Sequence, residues 1–204
     1  PAVNENNRVK LRDTFPTDAD GNTMELDNVY AMQFAEQESG FFAGVAAAME
    51  TESGKVAVVN GQPFPSNINY QYGFESGVAY ANAHLGTSAE VVELASYAGT
   101  PEIGGNYTGN FSDEAAGKVV GNGLITEGVD IIFVAAGASG NGVFAAAKES
   151  NGACMVIGCD VDQYDDGANG DENIMLTSVL KNMAINVERQ LNAVVDGTFV
   201  GGNV

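Results

Sequence analysis

The apolar positions of the second half of the chain fall into two alternating periods. "VDIIFVAAG" (129–137), "MVIGCDVD" (155–162) and "IMLTSVL" (174–180) are short, nearly continuous apolar runs. That pattern is expected of parallel strands covered on both faces. Between and after them, apolar residues recur at helical spacing: Ala116, Val119/Val120 and Leu124, then "GVFAAAKES" (142–150), then Met183, Val187, Leu191 and Val194/Val195. Ser112 is the expected N-cap of the first of these helices, with Asp113 and Glu114 at its positive dipole end.

The first half repeats the theme. "VKLRDTF" (9–15) and "NVYAMQF" (28–34) read as short extended segments, "KVAVVNG" (55–61) and "AEVVELASYAG" (89–99) as strands. "SGFFAGVAAAMETESG" reads as a helix of small residues capped by Ser39 and stopped before Gly54. A second helix carries Tyr70, Phe74, Gly77/Val78, Ala81 and Leu85 on one side and ends at Gly86 as its C′ residue. Strand–helix alternation at this spacing predicts an α/β fold with mainly parallel sheets flanked by helices. The expected division is a first lobe over 1–86 and a second over 87–204, with crossings near that boundary and near the C-terminus.

Composition narrows the function. The 204 residues are 45% hydrophobic and carry a formal charge of −19. Such a surface repels phosphate backbones, which argues against a nucleic-acid partner. No apolar run approaches the ~20 residues that span a bilayer. Cys154 and Cys159 are expected to be packed free thiols, since five steps along a strand set them on opposite faces. "DADGNTMELDN" begins like a calcium loop at Asp18, Asp20 and Asn22, but has Thr23 and Val29 where the glycine and the bidentate acid belong. No metal or cofactor is expected.

Chemistry concentrates at the strand ends, where open parallel sheets bind ligands. After "DIIFVAA" comes Gly137, after "MVIGC" comes Asp160, and after "MLTSVL" comes Lys181, while Phe111 sits in a turn before a helix. An aromatic face, a carboxylate for vicinal hydroxyls and an ammonium suit a sugar or nucleoside. No activated nucleophile–base pair accompanies them, and the sole histidine, His84, falls near a helix end. "GASGNG" lacks the ending of a Walker A loop.

The wording of several blocks resembles one family. "FAEQESGFFAGVAAAMETESGKVAVVNG", "NFSDEAAGK", "DIIFVAAGASGNGVFAAAKE", "VIGCDVDQ" and "LTSVLKN" are similar, in this order, to the basic membrane protein family of ABC-transporter substrate-binding lipoproteins, which includes purine-nucleoside receptors. The resemblance implies a type I periplasmic-binding fold whose two lobes close on a ligand. It places Phe111 on the base, Gly137 in the pocket lining, and Asp160 and Lys181 at the ribose; Gln62, in "VVNGQPFP", is a further candidate contact. It implies an ABC permease as partner, an extracytoplasmic location and a lipid anchor in the full-length precursor. A sugar receptor or a ligand-sensing regulatory module on the same scaffold are the alternatives. The family extends further at both ends, so the first lobe is expected to be incomplete and binding by this chain alone weak or absent.

Overall fold

The computed structural model describes residues 19–22, 28–30 and 32–201. "VKLRDTF" and Asp18 of the calcium-like loop lie outside them. Two compact units emerge, one from residues 35–181 and one from 1–34 together with 182–204.

The 35–181 unit contains α1 (Glu36–Glu50), β1 (Lys55–Asn60), α2 (Pro65–His84), β2 (Glu90–Val91), β3 (Asn106–Tyr107), α3 (Glu114–Thr126), β4 (Ile131–Ala135), α4 (Ser139–Glu149), β5 (Met155–Asp160), a small hairpin of β6 (Ala168–Asn169) and β7 (Glu172–Asn173), and β8 (Met175–Leu180). The main sheet runs β2–β1–β4–β5–β8, and β3 joins β1 further along its length. Every pairing in it is parallel. The expected lobe boundary at 86/87 does not fit this arrangement. It separates β1 from β4, which pair from Val56↔Ile131 to Asn60↔Ala135 in the middle of one sheet.

Strand alternation sorts the core into two layers. Val56, Val58, Ile131, Phe133 and Ile157 pack with Tyr70, Phe74 and the alanines of α1. Ala57, Val59, Ile132, Val134 and Val156 pack with Val120 and Leu124 of α3 and Val143 and Phe144 of α4. Helices α1 and α2 approach so closely that a Cβ on Gly44 would strike the Phe74 carbonyl, and one on Gly77 the Phe41 carbonyl. That contact explains why these two segments are so rich in small residues.

Several local expectations change. Ser39 lies inside α1, which begins three residues earlier at Glu36. Asp113 rather than Ser112 caps α3, accepting from Ala116 N at 3.0 Å. "AEVVELASYAG" pairs only at Glu90–Val91 and then turns at Ala95–Tyr97. The described part of "NVYAMQF" holds a single bridge at Tyr30 rather than a strand. Both cysteines are free, as expected.

In the other unit, α5 (Met183–Val195) matches the helix expected there, and none of its residues is buried. Among the described residues no helix is long and apolar enough to cross a membrane.

Candidate functional site

The C-terminal ends of β1, β4, β5 and β8 open into a cavity of about 490 Å³ within the 35–181 unit. Phe111, Gly137, Asp160 and Lys181 all line it. Gln62 does not; its Nε2 donates to the Gly109 carbonyl at 2.7 Å, so its amide ties down the loop that precedes Phe111.

Phe111 is held from both sides. Buried Ser139, the first residue of α4, receives the Asp113 N–H on its Oγ at 2.9 Å and donates to the Asn110 carbonyl at 3.2 Å. Its backbone N–H donates to the Phe111 carbonyl at 3.3 Å. Asn110 Oδ1 accepts from the N–H groups of Ser112 and Asp113 at 2.9 and 2.8 Å. The ring itself lies over Gly61, where a Cβ would stand 2.9 Å from Phe111 Cγ and closer still to two other ring carbons. Gly137 combines φ of +56° with a Cβ direction only 3.0 Å from the Phe111 carbonyl oxygen. Glycine is required there on both counts. Phe64, 53% exposed, sets its ring 5.8 Å from that of Phe111 with a 30° tilt.

The polar end is built around Asp160, which terminates β5 with φ of +70°, the left-handed region that Asp tolerates better than most residues. Three groups converge on its Oδ1: Tyr70 Oη at 3.1 Å, Lys181 Nζ at 3.3 Å and Cys159 Sγ at 3.4 Å. Protein contacts thus crowd one carboxylate oxygen, while the side chain as a whole stays 45% exposed. Lys181 also reaches Glu36 Oε1 at 3.2 Å and lies over the Tyr70 ring, 5.4 Å from its centre. Burial alone would lower the Lys181 pKa, but the Asp160 and Glu36 carboxylates outweigh it and hold the ammonium above its ordinary range. Burial, with Cys159 and Asp160 adding to it, pushes Tyr70 upward, so its hydroxyl remains a donor. Burial first and Asp160 second push the Cys159 thiol up to about 12, which makes it a poor nucleophile.

Phe111, Gly137, Asp160 and Lys181, the candidates at the strand ends and the turn, thus border one cavity. The sequence does not single out Glu36 or Asn67, and its helical spacing places Tyr70 in the core alone. Tyr70 does fill the core, edge-on to Phe133 at 5.4 Å, but its hydroxyl reaches past the sheet end to Asp160. Among the described residues no group of three or more metal-ligating side chains occurs.

An aromatic wall at one end of a cavity and a carboxylate–ammonium pair at the other can hold a ligand with a flat apolar part and a hydroxylated part. Comparison with known proteins gives this geometry its context. Residues 13–204 match the Bmp family model, described as ABC transporter substrate-binding protein PnrA-like. A CD4+ T-cell-stimulating antigen of Listeria monocytogenes is 31% identical over 98% of the chain and 54% of its own length. The ABC transporter nucleoside-binding protein BmpA of Lactococcus lactis is 29% identical over 87% of the chain and 49% of its own. Basic membrane protein B of Borreliella burgdorferi is 33% identical over 77% of the chain and 40% of its own. The chain thus spans about half the length of the curated relatives it matches. Among solved structures, an ABC transporter solute-binding protein from Aeropyrum pernix superposes with a TM-score of 0.72 and 29% identity, covering 90% of this chain and 48% of that one.

Proposed function

Because the chain belongs to the Bmp family of PnrA-like ABC transporter substrate-binding proteins, we propose that its cavity captures a nucleoside, purine in preference to pyrimidine, for delivery to an ABC permease outside the cytoplasm. One observation carries this reading: a fixed aromatic ring, Phe111, and a pinned carboxylate, Asp160, line the same cavity of about 490 Å³. That volume falls within the ~300–1,000 Å³ typical of small-molecule sites. The base stacks on Phe111, with Phe64 beside it. The ribose diol donates to Asp160, and Lys181 neutralises the carboxylate. The 35–181 unit supplies every residue that lines this cavity. The Lactococcus relative, whose name records nucleoside binding, supports the choice of ligand.

The test is release and identification. The protein is purified without added ligand and denatured, and the small molecules released are identified by mass spectrometry. A panel of nucleosides and free pentoses is then titrated. A bound nucleoside, or a panel in which nucleosides bind more tightly than pentoses, agrees with the reading. A pentose bound as tightly as any nucleoside would replace it with a sugar receptor.

A further inference from the structure

Asn67, in the first turn of α2, lines the cavity beside the Ala135 carbonyl at the end of β4. Its Nδ2 donates twice, to Ala135 O at 2.8 Å and to Asn60 Oδ1 at 3.1 Å. A carbonyl accepts only, so the Ala135 contact fixes which way the amide faces. Turning Asn67 over would set its own oxygen against that carbonyl. Both amide hydrogens are therefore spent on the protein, and the side-chain oxygen is left over. Among the described residues nothing donates to it, and it is not one of the sealed-off polar atoms. It is the polar atom of Asn67 that remains open where the residue borders the cavity.

The same arrangement explains an anomaly one layer deeper. Asn60 is fully buried at the end of β1, and its Nδ2 is the single buried side-chain polar atom without a partner among the described residues. Turning Asn60 over would not rescue that donor, because it would point it at Asn67 Nδ2, donor against donor. The orphan is thus a direct consequence of holding Asn67 in place. A buried donor left unmade costs more than an ordinary hydrogen bond returns. Sites where a fold tolerates such a loss are commonly functional.

Resting on the nucleoside reading, we propose that Asn67 Oδ1 is a fixed acceptor that selects ligands presenting a hydrogen-bond donor at that point of the cavity. The donor is a base N–H or the 5′-hydroxyl, since the 2′ and 3′ hydroxyls are assigned to Asp160. A ligand offering an acceptor there meets oxygen against oxygen, and Asn67 cannot rotate to accommodate it.

Ligand-observed NMR titration tests this, because it reads affinities into the millimolar range. Three probes are used: adenosine, purine riboside, which lacks a base donor, and 5′-deoxyadenosine, which lacks the 5′-hydroxyl. For the parent chain, one of the two analogues should bind about three- to tenfold more weakly than adenosine, the equivalent of one neutral hydrogen bond. Which one weakens identifies the donor. In Asn67→Ala that difference should disappear while the other analogue is unaffected. Both analogues binding the parent within twofold of adenosine would overturn the assignment without any need for the variant to fold. So would a difference that persists unchanged in Asn67→Ala. If D-ribose binds the parent and none of the three nucleosides does, the nucleoside reading itself has failed. The acceptor is then tested on the same variant with D-ribose and 5-deoxy-D-ribose, where equal affinities for the parent would overturn it and a selective loss abolished in Asn67→Ala would support it.

Discussion

Gly61→Ala perturbs the aromatic wall without altering the aromatic residue. A methyl group at position 61 would stand 2.9 Å from Phe111 Cγ and nearer to two other ring carbons. Carbon atoms in contact settle at about 3.5–4.0 Å, so the ring must retreat by roughly 1 Å or more. The backbone gives little room, because Gly61 N–H donates to the Ala135 carbonyl at 3.3 Å and Ser139 N–H holds the Phe111 carbonyl at 3.3 Å. The ring therefore swings toward the cavity or onto Phe64. Since an exposed edge can move, the fold should lose only about 1 kcal/mol, a fall in Tm of about 2–4 °C for a domain of this size. Ligand binding should suffer more. Base–aromatic stacking is worth about 1–3 kcal/mol, so affinity for a purine nucleoside should drop roughly fivefold to a hundredfold. Thermal unfolding and calorimetric or NMR titration on the same sample separate the two effects. A variant with nearly parental Tm and unchanged affinity would show that the ligand does not lie on Phe111.

Other expectations follow from the same geometry. Tyr70→Phe keeps the ring packed on Phe133 but deletes the donor to Asp160 Oδ1, and because Asp160 is partly solvated the loss should be about 1 kcal/mol in stability; denaturant unfolding indistinguishable from the parent would refute the contact. Asp160→Ala should abolish the preference of the parent for a ribonucleoside over its 2′,3′-dideoxy analogue, and a preference that survives would take the carboxylate out of ribose recognition. Burial foremost, and Glu93 in addition, raise the Glu75 pKa against the hydrogen bond from Gln71. A folded value above the unfolded one means that its stabilising contribution is full below the ordinary glutamate range and is lost as pH rises through the folded value. Glu75→Gln should therefore be more stable than the parent at pH 7 and match it in acid, whereas parallel Tm–pH curves would contradict the shift. With its thiol near 12, Cys159 should react slowly with iodoacetamide at pH 8, and rapid labelling there would show that the strand end is more open than described.

The layering of this fold was legible because its central strands are buried on both faces and so read as unbroken apolar runs. Where a side chain substitutes for a strand, the signal misleads. Asn106 accepts from Leu94 N–H at 2.8 Å and donates to the Val58 and Val92 carbonyls at 3.0 Å, so the backbone after Val91 is satisfied without a longer strand. The lobe boundary near residue 86 failed for a different reason. The placement of β1 between β2 and β4 is a tertiary fact with no local periodicity. Asp160, Gly137 and Lys181 could be placed beside one cavity because strand ends are a positional rule. Glu36, Asn67 and the Tyr70 hydroxyl could not, because their roles depend on helices α1 and α2 meeting strand ends more than 60 residues away in sequence. Gln62 was misread because its partner, the Gly109 carbonyl, is set by the path of a loop.

The most direct measurement of the central claim is a crystal structure of the protein soaked with adenosine. The account predicts the purine ring parallel to Phe111 and the ribose 2′ and 3′ hydroxyls within hydrogen-bond distance of the Asp160 carboxylate. A sugar packed against Phe111 with the base elsewhere, or adenosine bound outside the cavity, would contradict it.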